Sequence, residues 1–289
     1  MLRINRPDLV SFESALFRTT TTLLTGPDHL LLVDPNWLPL EIDVIRRYAE
    51  MRRGRREAYL LFTHSDYDHI IGYGQFSHFV VIASRAFVDQ PKRAEILQEI
   101  RDFDDQYYIS RDYPVRYPTV DIVIDQPLRS LQLGGEDYEI FHTPGHTEDS
   151  IAVVNRTRGI LIAGDYLSNV EFPYVYDSVE RYRRTLNLFG QLLAAGDIRL
   201  LIPGHGDPTD DPDEMRQRLT DARRYLDDLE YSVRNDQAFD LAGLFRRYRF
   251  PKVMQSFHEG NLAKMIEYVA RNPGPADRRG GDTPYISPL

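Results

Sequence analysis

The chain has 289 residues, 42% apolar and 27% charged, enough to bury a sizeable core in one large α/β domain or in one domain with an appended tail. A formal net charge of -9 excludes the broad positive field that a nucleic-acid-binding surface requires, and no segment approaches the roughly 20 consecutive apolar residues of a membrane span. With no cysteine there are neither disulfides nor thiolate metal ligands, so a soluble, cytoplasmic protein without nucleic-acid or membrane partners is expected.

In chain order, short strands are expected at Ala15-Leu16-Phe17, from Thr19 to Leu24, and from His29 to Val33 after the turn Gly26-Pro27-Asp28. Leu40 to Met51 carries apolar residues at helical spacing and leads to a strand from Ala58 to Phe62. The run Arg52, Arg53, Arg55, Arg56 reads as a solvated helix end. Ser65 is placed as the cap of a helix continuing over Ile70 to Phe76, before a buried strand from Phe79 to Ala83. An insertion at 86–118 holds a helix from about Pro91 to Tyr107 and a loop rich in Tyr and Pro. Strands follow at Asp121 to Ile124, Leu128 to Leu133, Tyr138 to His142, Ser150 to Val154, Gly159 to Ala163 and Arg199 to Ile202, with a helix from about Ser178 to Ala195. From Asp211 the pattern turns helical, with the stripe Met215, Leu219, Ala222, Leu226, Leu229 and two more helices near 238–249 and 259–271. The Gly- and Pro-containing end, 273–289, reads as a disordered tail.

The segment Leu60-Leu61-Phe62-Thr63-His64-Ser65-Asp66-Tyr67-Asp68-His69 drives an apolar strand into four metal-type side chains. Imidazoles and carboxylates are costly to bury unpaired, and each is a ligand for a divalent cation. Three later strands also end in tight turns presenting such a residue: Thr143-Pro144-Gly145-His146, Gly164-Asp165 and Pro203-Gly204-His205-Gly206. Strand ends on one edge of a layered α/β fold converge on a crevice, so His64, Asp66, Asp68, His69, His146, Asp165 and His205 are expected to gather around a dinuclear metal site. His142 reads as a packed residue behind the site, and His29, His78 and His258 as surface or structural. Two aromatic clusters are candidate pocket walls: Tyr107, Tyr108, Tyr113 and Tyr117, and Tyr166, Phe172, Tyr174 and Tyr176.

These motifs, T-H-S-D-Y-D-H, T-P-G-H-T, A-G-D and P-G-H-G, resemble in order and spacing those of the metallo-β-lactamase superfamily over roughly residues 10–210. The resemblance implies a four-layer αβ/βα sandwich over 1–210 with two divalent metals between the sheets, followed by a helical extension at 211–272. It implies one metal on His64, Asp66 and His146, the other on Asp68, His69 and His205, and Asp165 bridging, with Asp34 behind them as an orienting acid. The implied reaction is hydrolysis of an ester-type bond (lactone, thioester, carboxylic ester or amide) of a small molecule by a metal-bound hydroxide, with Asp68 steering the proton. One position departs from the family pattern: Asp66 stands where a second His is expected, giving H-x-D-x-D-H. Two divalent cations against three carboxylates leave a single net positive charge, which hardens the first site and admits iron or manganese beside the expected zinc. If Asp66 is too short to reach, one metal per chain remains. The alternatives are a phosphodiesterase, a non-haem di-iron oxidoreductase resembling the flavodiiron core, and a binding protein with a retained metal. The C-terminal helices either buttress the sandwich or pair two copies into a homodimer.

Overall fold

A computed structural model describes residues 2–248 and 250–273; the expected tail at 273–289 lies, but for its first residue, outside them. The elements run β1 (Leu2–Asn5), β2 (Leu9–Glu13), β3 (Thr20–Thr25), β4 (His29–Val33), α1 (Pro39–Arg53), β5 (Glu57–Leu61), α2 (Tyr67–Ile70), α3 (Tyr73–Phe76), β6 (Val80–Ser84), α4 (Arg85–Val88), α5 (Arg93–Gln106), β7 (Ile122–Ile124), β8 (Leu128–Leu133), β9 (Glu136–His142), β10 (Ile151–Asn155), β11 (Ile160–Ile162), α6 (Val179–Ala194), β12 (Leu200–Ile202), α7 (Pro212–Arg234), α8 (Leu241–Arg247) and α9 (Pro251–Arg271).

Strands β1 to β7 form one sheet in sequential order, and β12-β11-β10-β9-β8 form the second. The first is antiparallel through β4 and parallel from β4 to β7; in the second only β11 and β12 run parallel. Because side chains alternate along a strand, each apolar run feeds two cores. Leu31, Val33, Tyr59 and Leu61 face the other sheet, where they meet Ile140, Ile151, Val153 and Ile162. Their neighbours Leu30, Leu32, Leu60 and Phe62 face outward onto α1 residues Ile42, Ile45 and Ala49. On the second sheet Ala152, Val154 and Leu161 pack against α6, α7 and α9 through Leu186, Phe189, Leu219, Leu226, Met254 and Met265. Two sheets inside and helices on both outer faces make the expected four-layer αβ/βα sandwich.

Local chemistry sets the helix starts. Pro39 opens α1, whose Glu41 carboxylate accepts from the Leu38 backbone N–H at 3.1 Å and the Ser14 hydroxyl at 2.7 Å. Pro212 opens α7 behind an Asp211 cap that accepts from the Asp213 N–H at 2.8 Å. The expected stripe from Met215 to Leu229 is buried.

Three local expectations are corrected. Ala15–Phe17 is a turn with Phe17 and Arg18 at positive φ, and the strand lies earlier, at Leu9–Glu13. Ser65 does not cap a helix: α2 opens at Asp66, and the Ser65 hydroxyl accepts from Gln90 Nε2 at 2.9 Å. The helix expected to continue to Phe76 breaks into α2 and α3 around Ile71-Gly72, where Gly72 donates its N–H to the Pro35 carbonyl at 3.1 Å. Among the described residues no helix is long and apolar enough to cross a membrane.

Candidate metal centre

The loops at the C-terminal ends of β4, β5, β9, β11 and β12 deliver Asp34, His64 to His69, His146, Asp165 and His205 to one place between the sheets. Two glycines make this approach feasible. At Gly145 (φ 134°) a Cβ would lie 2.3 Å from the Tyr182 backbone, and at Gly204 it would lie 2.0 Å from Asp165 Oδ1.

Around Asp165 the imidazoles close in. Its Oδ2 lies 3.5 Å from His64 Nε2, 3.3 Å from His146 Nε2 and 3.2 Å from His205 Nε2, and its Oδ1 lies 3.2 Å from His69 Nε2. Asp66 Oδ2 lies 3.3 Å from His146 Nε2 and 3.6 Å from His64 Nε2, so this side chain does reach the cluster. Asp68 Oδ2 lies 3.6 Å from His69 Nε2 and 3.5 Å from His205 Nε2. Donors at about 2.0–2.2 Å from a tetrahedral ion stand about 3.3–3.6 Å from each other, so these spacings suit cation ligation. Three groups of donors can each hold an ion: His64 with Asp66 and His146, Asp68 with His69 and His205, and His64 with His69 and Asp165.

The opposite ring edges fix which nitrogen faces inward. His146 Nδ1–H donates to the Tyr174 carbonyl at 2.9 Å and His205 Nδ1–H to the Phe17 carbonyl at 2.8 Å. His69 Nδ1–H donates to Asp34 Oδ2 at 3.0 Å; His64 Nδ1 meets the Thr63 hydroxyl at 2.9 Å, which itself donates to Asp34 Oδ2 at 2.6 Å. Each Nε2 therefore points a lone pair at the centre when the ring is neutral. The Nε2 atoms of His64, His69 and His146 and Asp165 Oδ1 are buried without any hydrogen-bond partner, the condition a cation relieves.

Electrostatics agree. Burial opposes charge on His69, but Asp165 and Asp68 outweigh it and lift the ring well above the ordinary imidazole value; against the same burial, the adjacent Asp165 and Asp66 carboxylates do likewise for His146. His205, also disfavoured by burial, is raised to about 10 beside Glu171 and Asp165. Burial opposes ionisation of Asp66 and Asp165 too, yet the surrounding imidazoles hold both carboxyls below the ordinary value. The raised His205 value stabilises the metal-free fold below the ordinary imidazole range, a contribution lost as pH rises through about 10. A cation competes with protons for these nitrogens, so loading is expected to release protons, with apparent affinity rising with pH. Zinc titration calorimetry in two buffers of different ionisation enthalpy measures this; zero proton release would show the imidazoles to be neutral beforehand.

A pocket of about 70 Å³ opens over the cluster between Phe17, Tyr67, Glu171, Tyr174, Tyr176 and Phe257. A wider cleft of about 630 Å³ shares Asp66, Tyr67 and Tyr176 with it and runs out past Gln90, Lys92, Glu99 and Lys264. Of the two aromatic clusters only Tyr174 and Tyr176 wall the pocket. Tyr166 is buried, accepting from the His146 N–H at 2.9 Å and donating to the Thr143 carbonyl at 2.7 Å, and Phe172 stacks on Tyr225. The Tyr-rich loop lines neither space: Tyr107 and Tyr108 face solvent, Tyr113 joins the core, and Tyr117 packs on Phe87. His142 is half-buried with its Nε2 3.1 Å from the Ile124 carbonyl, His29 is buried against Tyr138, His258 is buried against Tyr225, and His78 is exposed.

Sequence reasoning missed Glu171, whose carboxylate lies 3.8 Å from His205 Nδ1 and is pushed to about 7 by burial. It also missed Phe257, supplied from α9 at the far end of the chain. Neither position carries a motif; only its proximity in the fold marks it.

The model of the metallo-beta-lactamase superfamily matches residues 15–228. The chain belongs to this superfamily. The human acyl-coenzyme A thioesterase MBLAC2 is 26% identical over 174 residues, covering 55% of this chain and 60% of that protein. The probable metallo-hydrolase YqjP of Bacillus subtilis (strain 168) is 31% identical over 114 residues, covering 33% of this chain and 34% of that protein. The chain thus spans less than two thirds of either curated relative. A metallo-beta-lactamase family protein from Thermus thermophilus superposes with a TM-score of 0.64 at 18% identity, covering 92% of this chain and 94% of its own.

Proposed function

We propose that this protein is a metal-dependent hydrolase in which His64, Asp66 and His146 hold one divalent cation, Asp68, His69 and His205 hold a second, and Asp165 is shared. The observation that carries this reading is the Asp165 carboxylate, 3.2–3.5 Å from four inward-facing imidazoles, three of whose Nε2 atoms are buried without a hydrogen-bond partner. Divalent cations supply Lewis acidity toward a scissile carbonyl and lower the pKa of a water nucleophile. The chain's own residues do the rest. Asp68, whose Oδ2 accepts from the Thr19 hydroxyl at 3.3 Å, is assigned to steer the proton. Phe17, Tyr174, Tyr176 and Phe257 exclude water and favour an apolar acyl group.

The bond is of ester type, a thioester first among lactones, carboxylic esters and amides, on the strength of the sequence likeness to proteins named acyl-coenzyme A thioesterases. Zinc is the expected metal, with iron or manganese admitted at the Asp66 side. Purification without added metal, metal quantification and a panel of acyl thioesters, lactones, esters and phosphodiesters test this. Hydrolysis of an ester-type member, lost on chelation and restored by metal, is expected. Iron-dependent turnover of oxygen with no hydrolysis would overturn it.

Asp66→His is expected to shift preference toward zinc over manganese in competition binding by about tenfold, because imidazole is the softer donor and the site gains one positive charge. Unchanged selectivity would remove Asp66 from the donor set.

A further inference from the structure

Helix α9 lies beyond the residues matched by the family model, yet one buried amide on it grips the backbone that flanks Tyr174. Asn261 is 2% exposed. Its Oδ1 accepts from the Val175 backbone N–H at 2.8 Å, and its Nδ2 donates to the Pro173 carbonyl at 2.6 Å and to the Tyr225 hydroxyl at 2.8 Å. Tyr174 sits between the two gripped backbone groups, and its carbonyl takes the His146 Nδ1–H at 2.9 Å. One turn earlier on the same helix, Phe257 stacks on the Tyr174 ring with centroids 4.0 Å apart and planes at 18°, while the Tyr174 hydroxyl donates to Met254 Sδ at 3.3 Å. On the other flank, the N–H groups of Tyr176 and Asp177 donate to the His146 carbonyl at 2.9 and 3.0 Å.

Residues 171–175 belong to no helix or strand, so no ladder of their own holds the Tyr174 carbonyl in place. Buried backbone groups outside regular structure must find partners elsewhere, and here the partners are a side chain of α9. An N–H on one side of Tyr174 and a carbonyl on the other demand an acceptor and a donor from a single short side chain, which asparagine has and aspartate and alanine lack.

We propose that Asn261 is a positioning residue for His146: it clamps both sides of Tyr174 so that the Tyr174 carbonyl fixes the tautomer and tilt of the imidazole, making α9 a working part of the metal centre. This rests on the reading of His146 as a ligand. Partners behind a ligating His change metal affinity when removed, and the same is expected here through the intervening backbone.

The test compares Asn261→Ala, Asn261→Asp, His146→Ala and Met265→Ala, the last a fully buried α9 residue with no part in the clamp. Zinc affinity is measured by chelator competition on protein shown to be folded by circular dichroism, and the visible spectrum is recorded after cobalt substitution. Both Asn261 variants are expected to lose about tenfold in affinity for one cation and to shift the cobalt spectrum. Met265→Ala is expected to melt earlier with unchanged affinity and spectrum. Asn261→Asp keeps the acceptor for Val175 and carries the test if Asn261→Ala does not fold. Wild-type affinity and spectrum in Asn261→Asp, with His146→Ala impaired, would overturn the clamp and leave the ligand reading intact. Wild-type affinity in His146→Ala would overturn both.

Discussion

Replacing Asp165 with alanine is expected to lower turnover by about three orders of magnitude or more and to reduce the number of bound cations, while the protein stays folded. Its carboxylate alone, among the described residues, stands within 3.5 Å of the Nε2 atoms of His64, His69, His146 and His205 together. Without it four imidazoles face one another with less countercharge, and each half of the site loses a donor. Asp165→Asn separates charge from shape: it fills the same volume beside Gly204 but brings a neutral amide, so it is expected to resemble alanine in metal content and activity. Metal analysis and a hydrolysis assay on matched preparations check both. Full activity in either variant would end the case for a shared carboxylate.

Asp34→Asn is expected to cost about 3 kcal/mol of stability and to weaken cation binding about tenfold to a hundredfold. The Asp34 carboxylate is buried and accepts from the Thr63 N–H at 2.9 Å, the Thr63 hydroxyl at 2.6 Å and His69 Nδ1–H at 3.0 Å. An amide in its place must turn an N–H toward one of these donors. Through Thr63 the disturbance also reaches His64 Nδ1, so both halves of the site feel it. A urea midpoint and a competition titration are the measurements; values unchanged from wild type would show that Asp34 merely ends β4.

The candidate donor set is readable in the sequence because its residues follow apolar strands directly and because Asp66 stands visibly where a His is expected. What orients them mostly is not. The Phe17 and Tyr174 carbonyls that hold His205 and His146 belong to backbone, which any residue type supplies. The apolar trio Ala15-Leu16-Phe17 reads as a strand; in the fold two positive-φ residues at 17 and 18 turn the chain so that its carbonyl meets a ring 188 positions later. The tyrosines of the insertion carry a compositional signal without direction: Tyr113 and Tyr117 serve the helix-side core, and it is Gln90, Lys92 and Glu99 that border the cleft. Glu171 and Phe257 come to the pocket through contacts distant in sequence, which no local pattern encodes. The sandwich itself follows from strands buried on both faces, and the α7 stripe from helical spacing.

The order in which these parts leave the ribosome has a consequence. The first donors are synthesised at position 64, the last at 205, and the pocket wall closes only with Phe257. A nascent chain therefore carries these imidazoles and carboxylates before α9 is synthesised. On the proposed reading, a chain ending within α9 ahead of Phe257 would carry every proposed ligand and lack the Phe257 wall of the pocket.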